Sequence, residues 1–399
     1  MQNLFSFSAD VAWPFAITLA WIAGEYSARW TKLPRISIYG LVGFFLAQTQ
    51  MGFLPSGEQG SILLLANIAF GLILFEFGYR INLRWLYTNP WIGVTGLVES
   101  ITTFGVVYAI AQWYGISAIN ALLLASLAMS SSPAGVMRVI NEQRSSGQVT
   151  ERILHLTAIN CVLAVFIFKV IVAFSVFRNS GSLWDAMSSG LTILLVSGLL
   201  GALFGVMVPS LLRNIKRLAP DSTIAFALTA ILLVSITHAA KLSPVLATLT
   251  FGLVARHRRV VLNQDRRNFG ALGEMLTVLL FVFVVSTLEW QKVLAGGGLG
   301  LILIAARLLT KTVSVAAFAS VSGISWRKGV LTGLGLAPIS VFVILVLEQA
   351  RYLGISFVDE LEALAAMTLF MEVIGPIITQ RVLVWANETQ HAPEGEYAA

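Results

Sequence analysis

The feature that most constrains this chain is its succession of apolar runs of about 20 residues, the length an α-helix needs to cross a bilayer. In hydrocarbon every backbone N–H and C=O must be satisfied internally, so such runs fold as helices or as a closed β-barrel. A barrel strand is a segment of about ten residues with strict alternation, whereas these runs are longer and continuous. Composition agrees. Of 399 residues 57% are hydrophobic and 12% charged, with a mean hydropathy of +0.82, whereas soluble domains carry about 25% charged residues. This excludes an ordinary soluble enzyme and a disordered chain. The expected fold class is an all-α polytopic membrane protein.

Windows at 9–29, 36–50, 61–79, 90–113, 117–140, 150–177, 185–212, 221–240, 243–257, 268–288, 293–320, 326–349 and 359–384 predict about 13 transmembrane helices. Alternate loops then test the count against the excess of Lys and Arg in cytoplasmic loops. One set of loops, with the C-terminal end, holds 19 of the 26 basic residues, among them Arg29, Lys32, Arg80, Arg144, Arg213, Arg258 and Lys328. The other set holds only Arg178, Lys241, Lys292 and Arg351. Lys169, Arg307 and Lys311 fall within spans. The expected topology is an integral protein of the plasma (inner) membrane, N-terminus outside and C-terminus cytoplasmic. The net charge of +6 is then a topology signal, and no nucleic-acid partner is expected. The first ten residues contain no Lys or Arg, so the basic region of a cleavable signal peptide is missing. Short linkers indicate one membrane domain, 1–386, followed by a polar tail, 387–399, expected to be disordered.

Two spans are interrupted at matching places. The fifth contains Ser130-Ser131-Ser132-Pro133-Ala134-Gly135, and the twelfth Gly333-Leu334-Gly335-Leu336-Ala337-Pro338-Ile339-Ser340. Taking helices 1–6 and 8–13 as an inverted repeat makes each the fifth helix of its half. Proline removes a backbone donor and clashes with the preceding turn, and paired broken helices at corresponding positions are the mark of an inverted-repeat transporter. Pro133, Gly135, Gly335 and Pro338 are the expected hinges of two crossing helices.

With these residues in view, the chain resembles the monovalent cation–proton antiporter superfamily. Leu33-Pro34 with Gly40 and Gly43 resembles its second helix, and Leu74-Phe75-Glu76-Phe77-Gly78 is similar to the third-helix motif of the sodium–proton exchanger branch. Ser131-Ser132-Pro133 resembles the Thr-Asp-Pro or Thr-Ser-Pro of the broken helix. Thr157-Ala158-Ile159-Asn160-Cys161 stands where the family has Asn-Asp or Asp-Asp, Arg307 matches the basic residue of the eleventh helix, and Gly375-Pro376 resembles the end of the last. The resemblance implies a thirteen-helix homodimer whose six-helix core slides against a dimerisation domain. It also implies exchange of sodium or potassium for protons at a sixth-helix Asp, and a polar network of Glu76, Asn160 and Arg307.

The sequence departs from the family at that Asp, which is Cys161, and the second carboxylate of the Thr-Asp-Pro branch is Ser132. A thiol is a poor ligand for a hard cation, which prefers oxygen. The remaining candidates to bind an ion or substrate are Ser131, Ser132, Asn160 and Thr157, with Cys161 among them. The charged residues within spans, Glu76, Arg307, Lys311 and Glu372 with Glu99 and Lys169, are expected to pair, since an intramembrane charge needs a partner. Lys169, nine residues after Asn160, lies about 180° around the helix from it. If antiport occurs, Glu76 or Glu372 is the candidate to carry the proton. Three readings follow: a cation/proton antiporter working by alternating access; a transport-inactive sensor or assembly partner on the same fold; and a carrier of a neutral or anionic substrate held by Arg307. No metal site or cofactor is expected. The chain has no His-Glu-x-x-His pair, nucleophile elbow or phosphate-binding loop, so it is not read as an enzyme.

Overall fold

A computed structural model describes residues 2–55, 59–176, 183–214, 222–258, 269–341, 343–345 and 362–390. Among them the regular structure is entirely helical. In chain order the helices are α1 (Gln2–Thr31), α2 (Arg35–Leu46), α3 (Gln59–Arg80), α4 (Leu83–Thr88), α5 (Pro90–Trp113), α6 (Ala118–Ala128), α7 (Pro133–Glu142) and α8 (Gln148–Val176). The second half contributes α9 (Leu183–Asn214), α10 (Ser222–Ala239), α11 (Pro244–His257), α12 (Gly270–Ser286), α13 (Trp290–Ala295), α14 (Gly297–Ala317), α15 (Trp326–Gly335) and α16 (Glu362–Trp385).

Seven described segments are long and apolar enough to span a membrane, the interrupted 118–142 among them, and three more apolar helices are shorter. The expected windows map onto these elements with two additions. α4 is a one-turn-and-a-half helix started by the Asn82 side chain, which accepts from the Trp85 N–H at 3.2 Å. The eleventh window is split at Gly296, which ends α13 and starts α14. The expected second half of the twelfth window beyond residue 345, the start of the last window and the tail from 391 lie outside the described residues. So do the loop residues Arg178, Lys216, Arg217, Arg259, Arg266, Arg267 and Arg351.

The helices sort into two bundles. α5, α6, α7, α8, α14, α15 and α16 pack mainly on one another, and α1, α2, α3, α9, α10, α11 and α12 form the second group. The seam between them is made by α2 against α16, α3 against α7 and α8, and α8 against α9. Small residues allow the closest approaches. A Cβ on Gly78 would strike the Leu249 carbonyl and one on Gly252 the Phe75 carbonyl, so α3 and α11 lie backbone to backbone. Without a hydrophobic drive between helices in lipid, such close packing is a main source of cohesion. Leu195, Leu199 and Leu203 on α9 and Ile101 on α5 are exposed, as lipid-facing side chains are.

One end of the chain is tied more firmly than its composition suggests. Asn387, at φ +56°, turns the chain out of α16. Glu388 then folds back onto the start of α8, its carboxylate accepting from the Val149 and Thr150 N–H groups at 2.8 Å each. An anion at the N-terminus of a helix satisfies free donors and complements the dipole. The expectation of a loose tail beginning at 387 therefore fails at its first two residues.

Candidate functional site at the crossing of the two broken helices

α6 stops at Ala128 because the next turn runs into Pro133, which has no N–H to donate. Ser132 restarts the helix: its hydroxyl accepts from the Gly135 N–H at 3.0 Å, with Pro133 in the first turn of α7. The second break has the same logic. α15 stops at Gly335 and residues 336–341 around Pro338 leave the helix. The two breaks are bonded directly, Ser132 N–H to the Pro338 carbonyl at 2.9 Å and the Ser131 hydroxyl to the Leu336 carbonyl at 3.0 Å. Gly375 of α16 lies against this cross, where a Cβ would stand 2.7 Å from the Pro338 Cα.

Each stopped half-helix leaves carbonyls without intrahelical donors. Arg307, fully buried on α14, supplies them. Its Nε donates to Ala128 at 2.7 Å and its Nη1 to Ala337 at 2.6 Å. Its Nη2 donates to Ser130 at 2.8 Å, Leu336 at 3.2 Å and Pro338 at 3.4 Å. One turn along, the Lys311 ammonium donates to the Met129 carbonyl at 2.9 Å and forms an ion pair with Glu99 of α5, both side chains being fully buried. The charges nearly balance. Two side-chain cations and the N-terminus of α7, worth about half a positive charge, face one carboxylate and two helix C-termini, each worth about half a negative charge.

The polar residues of α8 sit beside this knot. Asn160 accepts from the Ser100 hydroxyl at 2.7 Å and donates to the Ser131 hydroxyl at 3.4 Å. The Cys161 thiol donates to the Ser131 carbonyl at 3.3 Å, and the Thr157 hydroxyl is buried without a partner. Ser131, Asn160, Cys161, Arg307 and Lys311 are thus brought together, while Ser132 serves as a helix cap. Lys169 lies elsewhere, beside Asn67, Phe70 and Val245, as its helical angle requires. Glu76 is also elsewhere: its carboxylate accepts from the Asn141 side chain of α7 at 2.9 Å. The expected three-residue network of Glu76, Asn160 and Arg307 therefore does not form. The planar guanidinium fork is taken up by the carbonyls of the two breaks, a set of partners that residue types alone do not display. Of the intramembrane charges expected to pair, Lys311 finds Glu99, whereas Glu372 stands apart on α16, buried, with Oε1 unpartnered.

Glu76 and Asn141 line a cavity of about 170 Å³ at the seam between α3 and α12 on one side and α7 on the other. The cavity lies toward the arginine-rich end and reaches Ala134, the second residue of α7. Its walls include Arg138, which pairs with Glu142 at 3.1 Å and with Glu274 of α12 at 2.6 Å. The Arg138–Glu142 spacing of four residues was a readable signal; the contributions of Glu99, Ser100, Asn141 and Glu274 had none that spacing could supply.

The family described as "Sodium/hydrogen exchanger, transmembrane" matches residues 15–385. The chain belongs to the sodium/hydrogen exchanger family. Among solved structures, the sodium proton antiporter MjNhaP1 from Methanocaldococcus jannaschii, at pH 8, superposes with a TM-score of 0.61 over 97% of this chain and 98% of that one, at 14% identity. That likeness establishes a shared antiporter fold. No curated protein matches the sequence.

Proposed function

We propose that this exchanger-family protein is a secondary active transporter that exchanges a monovalent cation, sodium or potassium, for protons by alternating access between its two bundles. The observation that carries the reading is the cavity at the seam, which runs from the arginine-rich end to the start of the broken α7 and places the carboxylates of Glu76 and Glu274 along its wall. Carboxylate, amide and hydroxyl oxygens suit a hard cation, and here Asn141 and Thr277 supply the last two. In this reading Ser131, Asn160, Thr157 and Cys161 form a neutral surface beyond the cavity, and Pro133, Gly135, Gly335 and Pro338 hold the crossing. The topology goes with it: a plasma-membrane protein with the arginine-rich end in the cytoplasm, working as a homodimer.

One observation favours a second reading. The free carbonyls of both breaks are already taken by Arg307 and Lys311, so a cation at the crossing would find neither those carbonyls nor the missing carboxylate. That favours a transport-inactive sensor or assembly partner. The same bonding counts against an anion carrier, since every guanidinium nitrogen already donates to a backbone carbonyl. The test is reconstitution in liposomes with an imposed pH gradient, adding sodium, potassium and lithium in turn, with Cys161→Asp beside the wild type. Cation-dependent collapse of the gradient by the wild type is the expected result. Collapse only with Cys161→Asp would establish the inactive reading.

A further inference from the structure

Outside the crossing, two polar groups are left unpaired on one face of α16. Glu372 is 3% exposed and its Oε1 has no hydrogen-bond partner; Thr368, one turn earlier, is 1% exposed and its hydroxyl has none. Residues four apart lie on one helix face. That face meets α2 across the seam. The Gln380 side chain donates to the Lys32 carbonyl at 3.0 Å and the Ser37 hydroxyl to the Val373 carbonyl at 2.8 Å. A Cβ on Gly40 would lie 3.4 Å from the Glu372 Cγ and 3.2 Å from the Val285 Cγ2 of α12. Continuing this antiparallel register sets Thr368 opposite Phe44.

The charged groups of the surrounding helices are engaged elsewhere. On α2, Arg35 pairs with Glu25, and the Tyr39 ring turns toward Gly24 of α1. On α7 and α12, Arg138 joins Glu142 and Glu274; on α13, Lys292 joins Glu289. On α14, Arg307 and Lys311 belong to the crossing; on α15, Arg327 and Lys328 bond to the Trp385 carbonyl and Gln148. Among the described residues none offers Glu372 a counter-charge.

A carboxylate buried without a partner is costly, whereas the neutral acid or a carboxylate with a bound cation is not. The residue also sits at the seam between the two bundles; in the exchange reading these move against each other, so its surroundings change between conformations while those of the crossing travel with the core. We infer that Glu372, with Thr368 beside it, is the exchange site, holding either a proton or a small monovalent cation while the seam is closed. On binding, the carboxyl proton leaves to water and the cation takes its place on the carboxylate, so the site keeps the same net charge. This rests on the exchange reading and goes beyond it, placing the exchanging carboxyl on α16, apart from the cavity lined by Glu76 and Glu274, in the role of the one absent at position 161.

The test uses the full chain in liposomes. Wild type, Glu372→Gln, Glu372→Asp and Thr368→Val are compared for sodium-driven proton movement. In parallel, wild type is treated with dicyclohexylcarbodiimide, which adds to protonated carboxyls in apolar surroundings, and the label is mapped by mass spectrometry with and without sodium. The expected result is background exchange by Glu372→Gln, a shifted half-saturating sodium concentration for Glu372→Asp and Thr368→Val, and labelling of Glu372 that sodium suppresses. Wild-type rates in Glu372→Gln, or labelling indifferent to sodium in an exchanging protein, would overturn the assignment. If Glu372→Gln does not fold, the wild-type labelling decides. If the wild type moves no protons, the exchange reading falls by itself, and sodium protection of Glu372 still decides whether the site binds cations.

Discussion

The crossing and the α2–α16 seam lie within one membrane domain and treat polar groups in opposite ways. At the crossing, two stopped helices, two cations and a carboxylate satisfy one another, leaving Glu99 Oε2 and, on α8 beside them, the Thr157 hydroxyl without a partner among the described residues. At the seam, Glu372 and Thr368 are equally buried and left unpaired. Polar atoms in a lipid-immersed core are expected to be satisfied. A region where every charged side chain has a charged or backbone partner reads as scaffold. A carboxylate buried without any partner is the group held for something that comes and goes.

Substitutions can break or sharpen that contrast, and the largest effect belongs to the crossing. Arg307→Ala strips a donor from five carbonyls and leaves those of Ala128, Ser130 and Ala337 without one among the described residues, since Leu336 and Pro338 keep their bonds from Ser131 and Ser132. At about 1–3 kcal/mol for each unsatisfied buried group, the loss is a large share of the net stability of a folded domain, about 5–15 kcal/mol. The expected outcome is a protein that no longer elutes as one species in detergent size-exclusion chromatography.

Next comes the Lys311–Glu99 pair. Glu99→Gln or Lys311→Met alone should cost about 3–5 kcal/mol, because each leaves a buried charge alone, while the double variant should recover most of it. A double-mutant cycle of melting temperatures checks this, and additive losses would show that the two residues act separately. A smaller effect is expected for Ser132→Ala, which removes the cap of α7 and should cost about 1 kcal/mol, read as a lower melting temperature with the helix content intact.

The smallest effect has the opposite sign. Thr368→Val replaces an unpaired hydroxyl with a methyl group of the same shape and should leave stability equal or raised by up to about 1 kcal/mol. A marked drop in melting temperature would mean that Thr368 is bonded in the folded protein, and the contrast between the two regions would weaken.

Much of the architecture was legible because lipid leaves few options. Apolar run length marked the spans, and the proline-centred interruptions at 130–135 and 333–340 marked both breaks. What residue patterns did not show were partners more than a hundred positions apart. The separation between Glu99 and Lys311 along the chain carries no periodicity, so both were visible as intramembrane charges and unreadable as a pair. Arg307 was visible too, but its partners are backbone atoms, which every residue possesses and no composition reveals. The network expected of it with Glu76 and Asn160 gave way for that reason. The engagement of Glu388 was missed for another: a polar, acidic stretch after the last span looks solvated, and only the free N–H groups at the start of α8 give that carboxylate a destination.

That contact has a practical consequence. Because Glu388 is clasped to the first turn of α8, it is a fixed point on the bundle that holds the crossing. A spin label or fluorophore placed just beyond it would ride with that bundle as a pointer. Paired with a second label on α9, on the opposite side of the seam, it would turn any sliding of the two bundles into a measurable change in distance without a probe entering the transport path.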